Sequence, residues 1–191
     1  NPAQDFTQRA INSYRCTYVQ IANVKSWLPE EARCLVWFGW GAQSVTYLTP
    51  LFGSQLSLPE HFGRGVRSEY DENSGWWNNL LVQQLARINY TAAIEDVKAA
   101  RDEKMTDQFD VTFAIQNQAA KMIKNGDKEG AIELLTDYST QQANMWFDTY
   151  SDLAKTLLSN YMLGADHGKT WGLQYTDFWN DLSKSEWGQY K

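Results

Sequence analysis

Two thiols, two imidazoles and a few loop arginines are the side chains here with the most reactive potential. Cys16 and Cys34 could supply a nucleophile only where a base or a positive charge lowers the thiol pKa. Both fall in predicted strands, where a small buried thiol is the plainer reading and a disulfide or reactive group the lesser one. His61 and His167, with no Cys-x-x-Cys, do not assemble a zinc ligand set, so no metal and no cofactor is expected. The hydrolase and phosphate-loop signatures Gly-x-Ser-x-Gly, Gly-x-x-x-x-Gly-Lys and His-Glu-x-x-His do not occur. Ser, His and Asp residues are present without a spacing that selects a triad. The acid pairs Glu30-Glu31 and Asp71-Glu72 lie in predicted turns, where solvation accounts for them. His61, Arg64 and Arg67 share one long loop, which reads as a binding edge or, more plainly, as a solvated connector. Trp40, Trp76 and Trp77 could face a peptide or sugar, although core packing explains most of the nine tryptophans. Asn89-Tyr90-Thr91 has the form of a glycosylation sequon and is read as a chance occurrence.

The elements that would position these groups divide the chain in two. Residues 33–53 form the longest stretch rich in β-branched and aromatic residues, broken by Gly39-Trp40-Gly41-Ala42. Leu35 to Phe38 reads as one strand, Ser44 to Leu48 as its antiparallel partner, and Pro50 closes the second. Residues 14–24 alternate, with Thr17, Val19 and Ile21 on one face, giving a third strand and a three-stranded meander. Almost nothing on the hairpin is charged after Arg33. Such a strand pair is normally covered on both faces.

Residues 54–73 read as a connecting loop. Helices follow: one capped at Asn73 or Ser74 with a stripe of Trp77, Leu81, Leu85 and Ile88. A second runs through Ile94, Val97, Met105, Phe109, Phe113 and Met122 to a stop at Asn125-Gly126. A third is capped by Asp127 and striped by Ala131, Leu135, Tyr138, Gln142, Met145, Thr149, Leu153, Leu157 and Tyr161. The last two predict a long antiparallel pair. Residues 167–191 are polar and aromatic, suited to a terminal helix or tail. The fold class is therefore α+β, a small antiparallel sheet followed by a long helical region.

With 191 residues, 43% hydrophobic and 21% charged, the chain suits one globular domain or a large piece of one, burying roughly 70% of its unfolded surface. A net charge of −6 argues against nucleic acid and against an anionic membrane surface. No apolar run approaches the ~20 residues of a spanning helix, and no signal peptide is visible; a cytoplasmic setting is favoured. The start at Asn1-Pro2 leads to the expectation that the polypeptide is either processed or cut from a longer one, the second being favoured.

Residues 33–53, followed by Leu56-Ser57-Leu58-Pro59-Glu60, resemble the closing part of the cysteine dipeptidase family of N-terminal-nucleophile hydrolases. That family has a strand ending in Trp-x-x-x-Gly, a Ser-x-x-x-x-x-x-Pro-Leu/Phe strand and an Ile/Val/Leu-Pro-Glu loop. Ser74-Gly75-Trp76-Trp77-Asn78-Asn79-Leu80-Leu81 is similar to its helix opening, and Arg87-Ile88-Asn89-Tyr90 to the continuation. The resemblance covers about residues 13–100; beyond it only helical character and the piece at Leu134 to Thr140 match.

The resemblance implies an αββα sandwich with an N-terminal cysteine whose thiolate attacks a dipeptide carbonyl while the chain's own α-amine acts as base. Residue 1 here is Asn1, so the expected nucleophile lies in an absent N-terminal part of the same protein, and this polypeptide alone is expected to be inactive. In these terms residues 1–53 are the closing sandwich strands, 54–73 a connection and 74–191 a helical extension that shapes the cleft or an oligomer contact. Related amidases place an arginine on a late strand near the nucleophile. Arg15 is the residue to carry that auxiliary role, with a solvent-facing strand end as the plainer reading. The other functions consistent with the residues are a non-catalytic peptide- or sugar-binding module and an amidase with a different substrate.

Overall fold

The computed structural model describes residues 12–162. The polar start before residue 12 and the expected terminal element at 167–191 lie outside the described residues. The apolar and aromatic run Cys34–Trp40 is strand β2, flanked by β1 (Tyr18–Val24) and β3 (Thr49–Phe52). Both pairings are antiparallel, with Ile21 opposite Trp37 on one side and Leu35 opposite Phe52 on the other. The expected α+β meander is present, and β2 is its centre. A four-residue helix α1 (Glu30–Arg33) leads into β2, and another, α2 (Glu60–Gly63), interrupts the long loop before α3 (Gly75–Ala86).

The third strand is not where its β-propensity put it. Residues 44–48 leave the sheet, and β3 begins at Thr49. Four of their five carbonyls are satisfied by helix side chains instead: Arg101 Nη1 donates to Ser44 O and Thr46 O, Tyr150 Oη to Val45 O, and Gln108 Nε2 to Leu48 O, while Tyr47 O accepts from Thr46 Oγ1. Tyr47 thereby stacks on Trp146 at 5.1 Å between centroids. Gly39 permits this close passage, because a Cβ there would stand 2.1 Å from Tyr47 O. Pro50 does not close the strand but sits within it, opposite Trp37. β3 is a sheet edge, where a missing N–H breaks no ladder.

Two long helices, α4 (Tyr90–Lys124) and α5 (Lys128–Tyr161), form the second layer. Gly126 takes φ +92°, and the Asp127 side chain caps α5 by accepting from Gly130 N. Contacts step backwards along one helix as they advance along the other: Asp96 with Tyr161, Gln108 with Trp146, Thr112 with Tyr138. The pair is antiparallel, as its stripes predict. On α5 the buried face matches the expected stripe at both ends. In the middle it carries Ala143, Trp146 and Tyr150 in place of Gln142, Met145 and Thr149. That shift brings two rings against Tyr47.

The sheet has two unequal faces. Leu35, Trp37 and Phe52 are buried with Ala119, Leu135, Phe109 and Phe113 from α4 and α5. On the other face Val36, Phe38 and Trp40 are half-buried, and the facing β1 residues Tyr18 and Val24 are 52% and 60% exposed. The described residues thus cover one side of the strand pair and leave its apolar reverse side partly open, with Phe62 of α2 packed against Phe38 and Trp40 there. The cysteines also differ from expectation. Cys16 precedes β1, Cys34 opens β2 on the partly covered face, and both are half-buried rather than enclosed; neither forms a disulfide.

Candidate functional site

The sheet corner where β1 begins and β2 ends is built from backbone to outward side chains. Gly41 N donates to Thr17 O at 2.9 Å, extending the ladder one step beyond Tyr18 and Trp40. Gly41 has φ +77°, and a Cβ there would lie 2.7 Å from Gln83 Oε1, so this bend requires glycine on both counts. Gln83 is 2% exposed. Its Oε1 accepts from Ala42 N and its Nε2 donates to Tyr14 O, each at 2.7 Å. One α3 side chain therefore ties the segment carrying Arg15 to the end of β2. Asn79 Nδ2 on the same helix donates to Thr46 Oγ1, and Asn78 Nδ2 to Ser151 Oγ.

These bonds explain why the α3 stripe is rotated from the expected one. Asn78, Asn79, Val82, Gln83, Leu85 and Ala86 face inward, Trp77 and Leu81 are half-buried, and Ile88 lies past the helix end and exposed. Counting apolar residues missed a buried polar face. The available signal was the row of amide side chains at Asn78, Asn79 and Gln83, without any sequence clue to their partners.

The loop before α3 is stapled to its N-terminus. Ser74 Oγ accepts from Trp77 N, capping the helix, and donates to Arg64 O at 2.9 Å. Trp77 Nε1 donates to Val66 O at 3.0 Å. Arg64 joins Glu60 and Asp71 at 2.6 and 3.0 Å, and those two bonds hold its guanidinium above the ordinary range. The Asn73 backbone N–H, then Arg64, keeps the Asp71 carboxyl below its ordinary value.

Two hollows flank the corner. One, of about 740 Å³, is lined by Arg15, Cys16, Arg67, Trp76 and Trp77 among others. The second, of about 620 Å³, lies on the partly open sheet face under Phe38, Trp40, Leu51, Leu58 and Phe62. The expected binding edge of His61, Arg64 and Arg67 is thus divided. Arg67 joins Arg15 at the first hollow, Arg64 borders the second, and His61 turns inward. His61 is 7% exposed, stacks on Phe147 at 4.7 Å, and has no hydrogen-bond partner at Nε2. Burial lowers its pKa, opposed by the Asp148 charge.

Arg15 stands in the turn before β1 and is exposed. Its Nε donates to Tyr14 Oη at 3.0 Å, and the Tyr14 ring also carries Arg87 at 4.3 Å. Among the described residues no carboxylate is paired with Arg15 or Arg67. Cys16 lines the same hollow as Arg15 and Arg67, half-buried ahead of β1 rather than enclosed within a strand. Such a hollow can receive an anionic group against an aromatic wall. Among the described residues no cluster of three or more His, Cys, Asp or Glu could hold a metal ion, and no helix is long and apolar enough to cross a membrane.

The architecture is that of an α+β protein with a two-helix layer on one face of its sheet and a cationic, aromatic hollow at the sheet corner. A sequence model of peptidase family C69 matches residues 1–103, more than half of the chain. The chain belongs to that family, the cysteine dipeptidases of the N-terminal-nucleophile type. No curated protein matches the sequence. The matched region holds the sheet, the stapled loop, α3 and both hollows; most of the α4–α5 hairpin lies beyond it.

Proposed function

We propose that this chain is the C-terminal portion of a dipeptidase that cleaves the amide bond of dipeptides with a thiolate supplied by a segment outside residues 1–191. The observation that carries the reading is the partly open apolar face of the sheet. Among the described residues, helices pack on one side and Val36, Phe38 and Trp40 are only half-buried on the other, as half of a helix–sheet–sheet–helix sandwich would be. A second sheet from the N-terminal part of the same protein would bury that face and bring the nucleophile toward the β1–β2 corner. Residues 1–53 then act as closing strands, 54–73 as the connection that frames the cleft, and 74–191 as the helical extension supporting it.

In this arrangement the thiolate attacks the dipeptide carbonyl and the α-amine of the nucleophilic residue takes up the thiol proton. Arg15, exposed at the corner with Nε bonded to Tyr14 Oη, stabilises the thiolate or the oxygen charge that follows. Cys16 and Cys34 take no covalent part. The test is kinetic, on the full-length protein carrying Cys16→Ser and Cys34→Ser together. The double variant is expected to hydrolyse dipeptides within about two-fold of wild type and to remain fully sensitive to thiol alkylation. Loss of turnover in Cys16→Ser alone, with the fold intact, would put the nucleophile in this chain and overturn the reading.

A further inference from the structure

We infer that Arg67 selects the free α-carboxylate of the substrate, holding the amino acid that follows the scissile bond, with Trp76 and Trp77 walling its side chain; this rests on the dipeptidase reading. The backbone leading to Arg67 is fixed. Gly65 takes φ +102° and lies so close to Ser74 that a Cβ would stand 2.5 Å from its Oγ. The next residue, Val66, accepts from the Trp77 indole. This backbone framework places Arg67 at the rim of the 740 Å³ hollow without engaging its guanidinium with any described residue. The neighbouring acid Asp71 is already committed to Arg64.

Arg15 is less suited to the task, because its Nε is bonded to Tyr14 Oη and its guanidinium lies 5.4 Å from that ring. Arg67 keeps its full fork. A guanidinium fork matches a carboxylate with two parallel bonds, whereas a peptide or amide carbonyl presents one neutral oxygen. The site therefore distinguishes a dipeptide from a longer chain by charge at the position just past the cleaved bond. The two indoles, 4.7 Å apart and tilted by 59°, favour an apolar or aromatic side chain there. The hollow falls within the ~300–1,000 Å³ range of small-ligand sites.

The experiment compares one dipeptide ending in phenylalanine with the same dipeptide as its C-terminal amide, using the full-length enzyme. Wild type is expected to prefer the free acid. Arg67→Met is expected to lose at least ten-fold in kcat/KM on the free acid, chiefly through KM, and less than two-fold on the amide; Arg67→Lys should retain part of the preference. An active wild type whose preference survives Arg67→Met overturns this assignment alone. A wild type that cleaves no dipeptide overturns the dipeptidase reading and this inference with it.

Discussion

Replacing Gln83 with leucine tests whether one buried amide holds the site corner together. The side chain is 2% exposed and makes two bonds of 2.7 Å, to Ala42 N and Tyr14 O. Leucine is close in volume but can make neither. Ala42 is buried, so its N–H would be left without a partner, at a cost of roughly 1–3 kcal/mol. Tyr14 is half exposed, so water can reach its carbonyl, and that loss is nearer ~1 kcal/mol. Together the change costs about 3 kcal/mol, which for a chain of this size lowers Tm by roughly 6–12 °C. Thermal unfolding followed by circular dichroism measures the shift. Amide hydrogen exchange should also show faster exchange at residues 41–46, and, on the proposed dipeptidase reading, kcat/KM of the full-length protein should fall as the Arg15 segment loosens. A Tm change under about 2 °C, with exchange at 41–46 unaltered, would refute the clamp.

Two further outcomes follow from the packing. Gly39→Ala puts a Cβ where Tyr47 O stands 2.1 Å away, a backbone atom that cannot rotate aside. It should destabilise by roughly 1–3 kcal/mol or more, read from the urea midpoint, whereas a wild-type midpoint would mean residues 45–48 are free to shift. His61 is buried with a lowered pKa, so the unfolded chain takes up the imidazole proton near pH 6.5 while the folded chain does so only at lower pH. Stability carried by this residue is then complete above pH 6.5 and lost as pH falls toward the folded pKa. His61→Phe should lose less stability than wild type between pH 7 and pH 5, and equal losses would refute the assignment.

The sequence displayed its periodic features and hid those made by long-range polar contacts. The Asp127 cap, the Gly126 stop and the α4–α5 hairpin were legible because each depends on neighbours within a turn or on a repeating apolar stripe. The three-stranded order was legible for the same reason. Residues 44–48 have the composition of a strand, yet Arg101, Gln108 and Tyr150, 55 or more residues from the carbonyls they capture, draw them out of the sheet. The buried amides of α3 were hidden likewise, since Asn79 and Gln83 are inward-facing only because Thr46, Ala42 and Tyr14 meet them there. At the site, Arg15, Arg67, Trp76 and Trp77 were each recognisable as reactive or binding types. That they line one hollow depends on the Trp77–Val66 staple, which no spacing reveals.

The most direct test of the account is turnover of a dipeptide panel by two purified polypeptides side by side, residues 1–191 alone and the full-length protein. The account predicts hydrolysis by the full-length protein and none above blank by residues 1–191. Hydrolysis by residues 1–191 at a rate comparable to the full-length protein would contradict it.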